Sequence, residues 1–294
     1  MSIMRWVFLA GVGLILAGAV WASGESYGDM INEAERLWEA DEYIASNQVL
    51  DKVIKMYPER ADAYWRKARN NYDLLENTPR EEKPDKDSLV ERYREVESLG
   101  KRCAELEPQN GSCYLWVAIG MGRRGTTQGV LNSLGEIDDL EKTFLKAIEL
   151  KPPYRANRGR ANSLGDAYNA LGQFYRVVPD WRFLQWIFGT RGDINKSVEL
   201  QRKAVELEPE RMEYVKELGV SLICRGNKTG SEADVSEGKK YLRKIEGLPV
   251  IKPSDIIDRK HAKELLARPQ LACGYSRDEQ QEVSREAYEK KEKK

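Results

Sequence analysis

Apolar and charged positions recur in blocks along this chain. "KVIKMYP" closes at Pro58, "RCAELEP" at Pro108, "KAIELKP" at Pro152 and "KAVELEP" at Pro209, with a weaker "RKIEGLP" at Pro249. In each block a basic residue precedes small or branched apolar residues, and proline ends the run. Proline cannot continue a helix, and it disfavours helix in the residue before it. Each block therefore predicts the end of a helix. The segments after the prolines are alike too, and they place a small residue (Ala68, Ala118, Gly165 or Gly219) where two helices must approach closely.

Leu164-Gly165 followed by Tyr168 matches the L-G-x-x-Y core of the tetratricopeptide (TPR) signature. Phe144 and Ala147 before Pro152 supply its second-helix signal. The chain thus resembles a TPR protein, which implies an all-α solenoid of helical hairpins, about five degenerate repeats over residues 27–249. The spacing is irregular: successive prolines lie 50, 44, 57 and 40 residues apart, against about 34 for an unadorned repeat. The excess predicts insertions, and insertions in repeat proteins often gather on the binding face. "YWRKARNNYD", "CYLWVAIGMG" and the "IFGT" of Ile187 to Thr190 further resemble the regulator of microtubule dynamics family over residues 60–210. A more distant resemblance is to exported TPR subunits of TRAP-type transporters.

The largest insertion holds "YRVVPDWRFLQWIFGTRGD", Tyr175 to Asp193, with two of the seven tryptophans and two of the five phenylalanines. As a helix begun at Asp180, it has one stripe of Trp181, Leu184 and Phe188 and a second of Phe183, Trp186 and Ile187. A helix apolar on nearly all sides is expected to be buried on nearly all sides. Three destinations follow: the hollow of the solenoid, which it would narrow; a subunit contact; or lipid.

In the TPR pattern, first-helix residues that do not pack between helices face the hollow. The resemblance places there Trp65, Arg69 and Tyr72, then Leu115, Ile119 and Arg123, then Asn162, Asp166 and Asn169, beside Trp181 and Trp186 of the insertion. These eleven are the candidate partner- or ligand-binding residues. The bland alternative is that the polar ones are merely solvated or bonded to the inserted helix.

Composition narrows the classes. One-third of the 294 residues are charged, yet 48 basic residues balance 48 acidic ones, so no global field favours nucleic acid. At the N-terminus Arg5 precedes an uncharged run from Trp6 to Ala22. That order predicts a secretory signal over residues 1–22, and its length also suits an uncleaved anchor. Export to the periplasm or another extracytoplasmic space is expected, with membrane anchoring as the rival. Four cysteines suit an oxidising compartment. Proximity pairs Cys103 with Cys113 and Cys224 with Cys273; free buried thiols are the alternative. Residues 250–280 are expected to cap the last repeat, and residues 281–294 to form a charged tail.

Catalytic and cofactor signals are missing. The only histidine is His261, in a charged helix, where a surface or partly packed position is expected. "GMGRRGTTQG" fits G-x-G-x-x-G, but a helix rather than a strand precedes it, against dinucleotide binding. Arg123 and Arg124 before Thr126 allow an anion site at a helix start, or an ordinary basic loop. No metal or cofactor is expected. The sequence thus points to a non-enzymatic protein that binds a protein partner through its concave face. The alternative is a carrier of small apolar or lipid-like ligands in a groove closed by the insertion at 177–188.

Overall fold

A computed structural model describes residues 26–293. The predicted signal or anchor, residues 1–22, lies outside the described residues. Among the described residues no strand forms, and the extended pairing is confined to two isolated bridges, Arg155–Asn162 and Tyr275–Gln280. The protein is an all-α helical solenoid of packed adjacent pairs.

The first pair is α1 (Tyr27–Glu39) and α2 (Tyr43–Met56). Ser26 caps α1 by accepting from the Asp29 amide, and the Asp29 carboxylate accepts from Ser26 in return. The second pair is α3 (Ala61–Glu76) and α4 (Lys86–Leu106), and the third is α5 (Gly111–Gln128) and α6 (Ile137–Glu149). The fourth joins α7 (Ser163–Val177) to α9 (Ile194–Leu207), with α8 (Arg182–Phe188) inserted between them. The fifth is α10 (Met212–Thr229) with α11 (Glu232–Lys244), followed by α12 (Ser254–Ala267) and α13 (Arg285–Glu292). The helices α2, α4, α6, α9 and α11 stop within a few residues of the five recurring prolines.

Small residues sit where backbones meet. A β-carbon on Gly120 of α5 would lie 2.5 Å from the Glu97 backbone nitrogen of α4, and one on Gly219 would lie 2.9 Å from the Gly238 carbonyl of α11. A side chain at either point would force the pair apart. Two disulfides fasten the chain. Cys103–Cys113 ties the end of α4 to the start of α5, and Cys224–Cys273 ties α10 to the turn beyond α12.

Two expectations about the insertions fail. α5 runs on through Gln128, so Arg123 and Arg124 lie in the last turns of a helix rather than before a helix start. Both are already ion-paired, Arg123 to Glu76 and Arg124 to Glu97 and Glu136. An anion site at a helix N-terminus is therefore absent there. The second concerns α8. Leu184 is fully buried, but Trp186 is 87% and Ile187 52% exposed. α8 sets Leu184 into the main apolar cluster, with Trp181 and Phe183 packed on Tyr288 of α13 at ring separations of 5.6 and 5.4 Å. It neither fills the hollow nor buries all its faces. The helix begins after Trp181 rather than at Asp180, and Asp180 pairs with Lys228 of α10.

The chain beyond α11 does more than cover the last pair. It returns across the concave side and reaches the second repeat. Ser254 donates its amide to Asn77 at 2.9 Å, and Arg277 stands 3.0 Å from Glu76 at the end of α3. Arg160, in the loop before α7, bridges Asp41 of the first pair and the Ile251 carbonyl. These contacts join the two ends of the solenoid.

Candidate functional site: the closed concave cleft

The first helices α3, α5 and α7 stand side by side and turn one face each into the hollow. Where they converge a cleft of about 130 Å³ remains. Its apolar wall is built from Ile119 of α5, Leu140 and Phe144 of α6, and Ala170 and Phe174 of α7. At the other end stand four buried cations, Arg69, Arg160, Arg211 and Lys252. Tyr275 and Ser276 of the returning segment form its roof.

The cations are fixed by neighbours rather than by solvent. Arg69 donates to Glu35 at 3.1 Å and to the Tyr154 hydroxyl at 2.6 Å, and its guanidinium lies 3.7 Å from the centre of the Trp38 ring. Arg211 donates to the Gly159 carbonyl at 2.6 Å and stays 3.8 Å from Asp166 and 4.0 Å from Glu213. Lys252 stops 3.6 Å from Glu213. These last spacings exceed hydrogen-bonding distance, so Arg211 and Lys252 keep donor capacity toward the cleft. Burial raises the Asp166 carboxyl above its ordinary value, and Arg211 only partly offsets it.

A second charged layer lies beneath the roof. Glu76 is surrounded by Arg123 at 2.8 Å, Arg277 at 3.0 Å and Lys83 at 3.8 Å. Burial alone would raise the Glu76 carboxyl, but the three cations hold it well below the carboxylate range. Asp258 behaves alike: burial opposes ionisation, and Arg277 and Lys216, each within 2.7 Å, override it. The His261 ring nitrogen Nδ1 shares a hydrogen bond with the Tyr275 hydroxyl at 2.9 Å. Burial, together with Lys216 and Arg277, pushes its pKa down to about 3. Of the two positions expected for this histidine, the structure gives the partly packed one, with a neutral imidazole.

Six of the eleven sequence-derived positions, Arg69, Tyr72, Ile119, Arg123, Asp166 and Asn169, line the cleft. Five do not. Trp65 packs against Tyr154, with rings 4.9 Å apart. Leu115 is wholly inside the inter-helix core, and Asn162 is spent on capping α7. Trp181 packs against Phe183 and Tyr288, and Trp186 is exposed. Sequence reasoning missed Arg160, Arg211, Lys252 and the roof, all from loops or helix starts. The post-proline stretches "RANRGRANS" and "ERMEY" carried Arg160 and Arg211, but no periodicity marks such positions.

Among the described residues no helix is long and apolar enough to cross a membrane, and no cluster of three or more metal-binding side chains occurs.

The family model of "Regulator of microtubule dynamics protein 1-3" matches residues 30–157. No curated protein sequence matches the chain. Among solved structures, TTC0263, a thermophilic TPR protein of Thermus thermophilus, is 14% identical. It superposes with a TM-score of 0.54, covering 82% of this chain and 100% of that one. Human IFIT1, solved as a dimer with m7Gppp-AAAA, is 18% identical with a TM-score of 0.51. That match covers 92% of this chain but 49% of IFIT1, so the chain spans about half the length of that relative. At such identities the likeness is one of fold. This chain is a TPR-like helical solenoid that resembles the regulator of microtubule dynamics family through its first three helix pairs.

Proposed function

We propose that this is an exported, non-enzymatic TPR-like protein that binds a protein partner through its concave face. The observation that carries it is the cleft wall itself. α3, α5 and α7 expose fixed charges and aromatic side chains to one hollow, the surface that solenoids use for extended recognition. The apolar run Trp6 to Ala22 supports export. So do the two cysteine pairs at bonding distance, since such pairs persist in oxidising compartments. Nucleic acid is not proposed, although IFIT1 was solved with a capped RNA. Five basic side chains line this cleft against four acidic ones, and Arg69, Arg123 and Arg160 are each paired with a carboxylate, which leaves no continuous positive track for a phosphate backbone.

A second reading has its own support. The apolar wall meets the donors of Arg211 and Lys252, an arrangement suited to a small amphipathic ligand. Magnitude counts against it in the closed form: 130 Å³ falls short of the roughly 300–1,000 Å³ of ordinary ligand pockets. The roof, not the α8 insertion, would have to open for a longer ligand.

A photo-reactive residue at Gln173 on the cleft wall, in full-length protein within its own host, separates these functions. A discrete protein adduct at Gln173, and none at exposed Ile44 of α2, supports the partner. A retained small-molecule mass in native mass spectrometry supports the ligand. A clean mass with no adduct overturns both.

A further inference from the structure

The roof of the cleft is a hairpin. The Gln281 amide donates to the Gly274 carbonyl at 2.6 Å, and the Ser276 amide donates to the Glu279 carbonyl at 3.1 Å. A β-carbon at Gly274 would stand 2.5 Å from the Gln281 carbonyl oxygen, so the turn closes only with glycine there. The tip of this hairpin, Arg277-Asp278, enters the charged layer. Arg277 donates to Asp258 at 2.7 Å and lies 3.0 Å from Glu76. Asp278 accepts from Lys83 at 2.6 Å and from Arg123. Gln281 completes the contact by accepting from the Val130 amide at 3.0 Å and donating to the Thr126 carbonyl at 3.1 Å.

We infer that this hairpin is a built-in ligand of the concave face, and that the partner docks by displacing it with a turn of its own carrying arginine followed by an acidic residue. This rests on the concave face being the binding surface. Three observations carry it. First, "SRDEQQE", Ser276 to Glu282, has no apolar residue; the hold of the tip is polar, so another polar loop can substitute for its contacts, while Tyr275 at the base stays in an apolar core cluster. Second, the receiving groups stay paired when the hairpin leaves. Glu76 keeps Arg123 and Lys83, Asp258 keeps Lys216, and Lys83 and Arg123 keep Glu76. The subsite is therefore assembled by the solenoid: a carboxylate pair for a guanidinium beside a cation pair for a carboxylate. Third, the hairpin is tethered just outside the subsite, by Cys224–Cys273 on one side and by Tyr288 against Trp181 and Phe183 on the other. With Tyr275 buried and its carbonyl held by Arg176, the base stays in place, and the tip swings out and returns without diffusing off.

A self-occupied site lowers apparent affinity by the fraction of molecules in which it is empty. The test uses a fluorescent, head-to-tail cyclised peptide carrying residues 274–281 and full-length protein, read by anisotropy. The double variant Arg277→Ala/Asp278→Ala is expected to bind it at least about tenfold more tightly than the unmodified protein. Adding Arg123→Ala is expected to remove that gain. A folded double variant, by circular dichroism, that binds no better than the unmodified protein overturns the inference. Should the double variant fail to fold, amide exchange of residues 274–281 in the unmodified protein decides. Faster exchange with saturating cyclic peptide supports displacement, and unchanged exchange refutes it. Failure of the peptide while Gln173 still captures a partner sinks the hairpin alone and leaves the concave-face function standing.

Discussion

Glu76 is the residue on which most of the buried charge converges. Three cations and the Tyr93 hydroxyl, which donates to it at 2.9 Å, depend on its ionised carboxylate. Removing one partner of a buried ion pair costs about 3–5 kcal/mol, since the other charges remain desolvated. Glu76→Gln is thus expected to lower stability by that order in urea titration, whereas Asp166→Asn, at a carboxyl that burial has already raised, is expected to cost much less. The pH dependence follows with its sign. Glu76 and Asp258 titrate lower in the folded chain than in the unfolded one, so their stabilisation is present above the ordinary carboxyl values of 4.5 and 3.8 and is lost on acidification below them. His261 acts earlier. Its folded value of about 3 lies below the ordinary 6.5, so the unfolded chain gains a proton first. Stability is therefore expected to fall already as the pH drops below 6.5, and His261→Gln is expected to flatten that part of the curve. A urea midpoint that holds constant from about pH 7 to about pH 5 in the unmodified protein would contradict this.

At the scale of elements, α8 and the disulfides give opposite lessons. Leu184 is the anchor of α8 and Trp186 its exposed rim, so Leu184→Ala is expected to cost about 2–5 kcal/mol. Trp186→Ala is expected to stay within about 0.5 kcal/mol, the reverse of what side-chain size suggests. The helix ends were legible because proline acts on its own neighbours, and the ends of α2, α4, α6 and α9 follow from it. The packing of α8 was not legible. It depends on where Tyr288 falls, far along the chain, and periodicity within one short helix carries no information on that. The cleft shows the same division. The TPR resemblance pointed to Arg69, Ile119 and Asn169, which line the cleft, but hydropathy assigns every arginine to solvent. The burial of Arg160 and Arg211 arises from carbonyls and carboxylates contributed by distant loops. The cysteine pairing was readable from separation alone. Closing separations of 10 and 49 residues stabilises by about 3 and 4 kcal/mol in the chain-entropy account. Cys224→Ser/Cys273→Ser is accordingly expected to lower the thermal midpoint more than Cys103→Ser/Cys113→Ser.

An open solenoid is a row of units that touch only their neighbours, and it unravels from its ends. This molecule departs from that rule because its last segment reaches back to its first repeats. Arg160 ties Asp41 to the Ile251 carbonyl, Asn77 accepts from the Ser254 amide, and Glu76 meets Arg277. The terminal pair α1–α2 would otherwise depend on α3 alone for its packing; here Trp38, Tyr43, Ala156 and Ala161 share one apolar cluster with the loop before α7. Unfolding is therefore expected to be a single transition. Followed by pulsed amide exchange in urea, peptides from α1–α2 and from α10–α11 should lose protection at the same midpoint. Arg160→Ala cuts the bridge between the ends while leaving every helix pair intact, so it should split that transition, with α1–α2 exchanging first. If α1–α2 already exchanges ahead of α10–α11 in the unmodified protein, the ends are not coupled. The hairpin across the cleft would then be an ornament on an ordinary open array rather than part of what holds it closed.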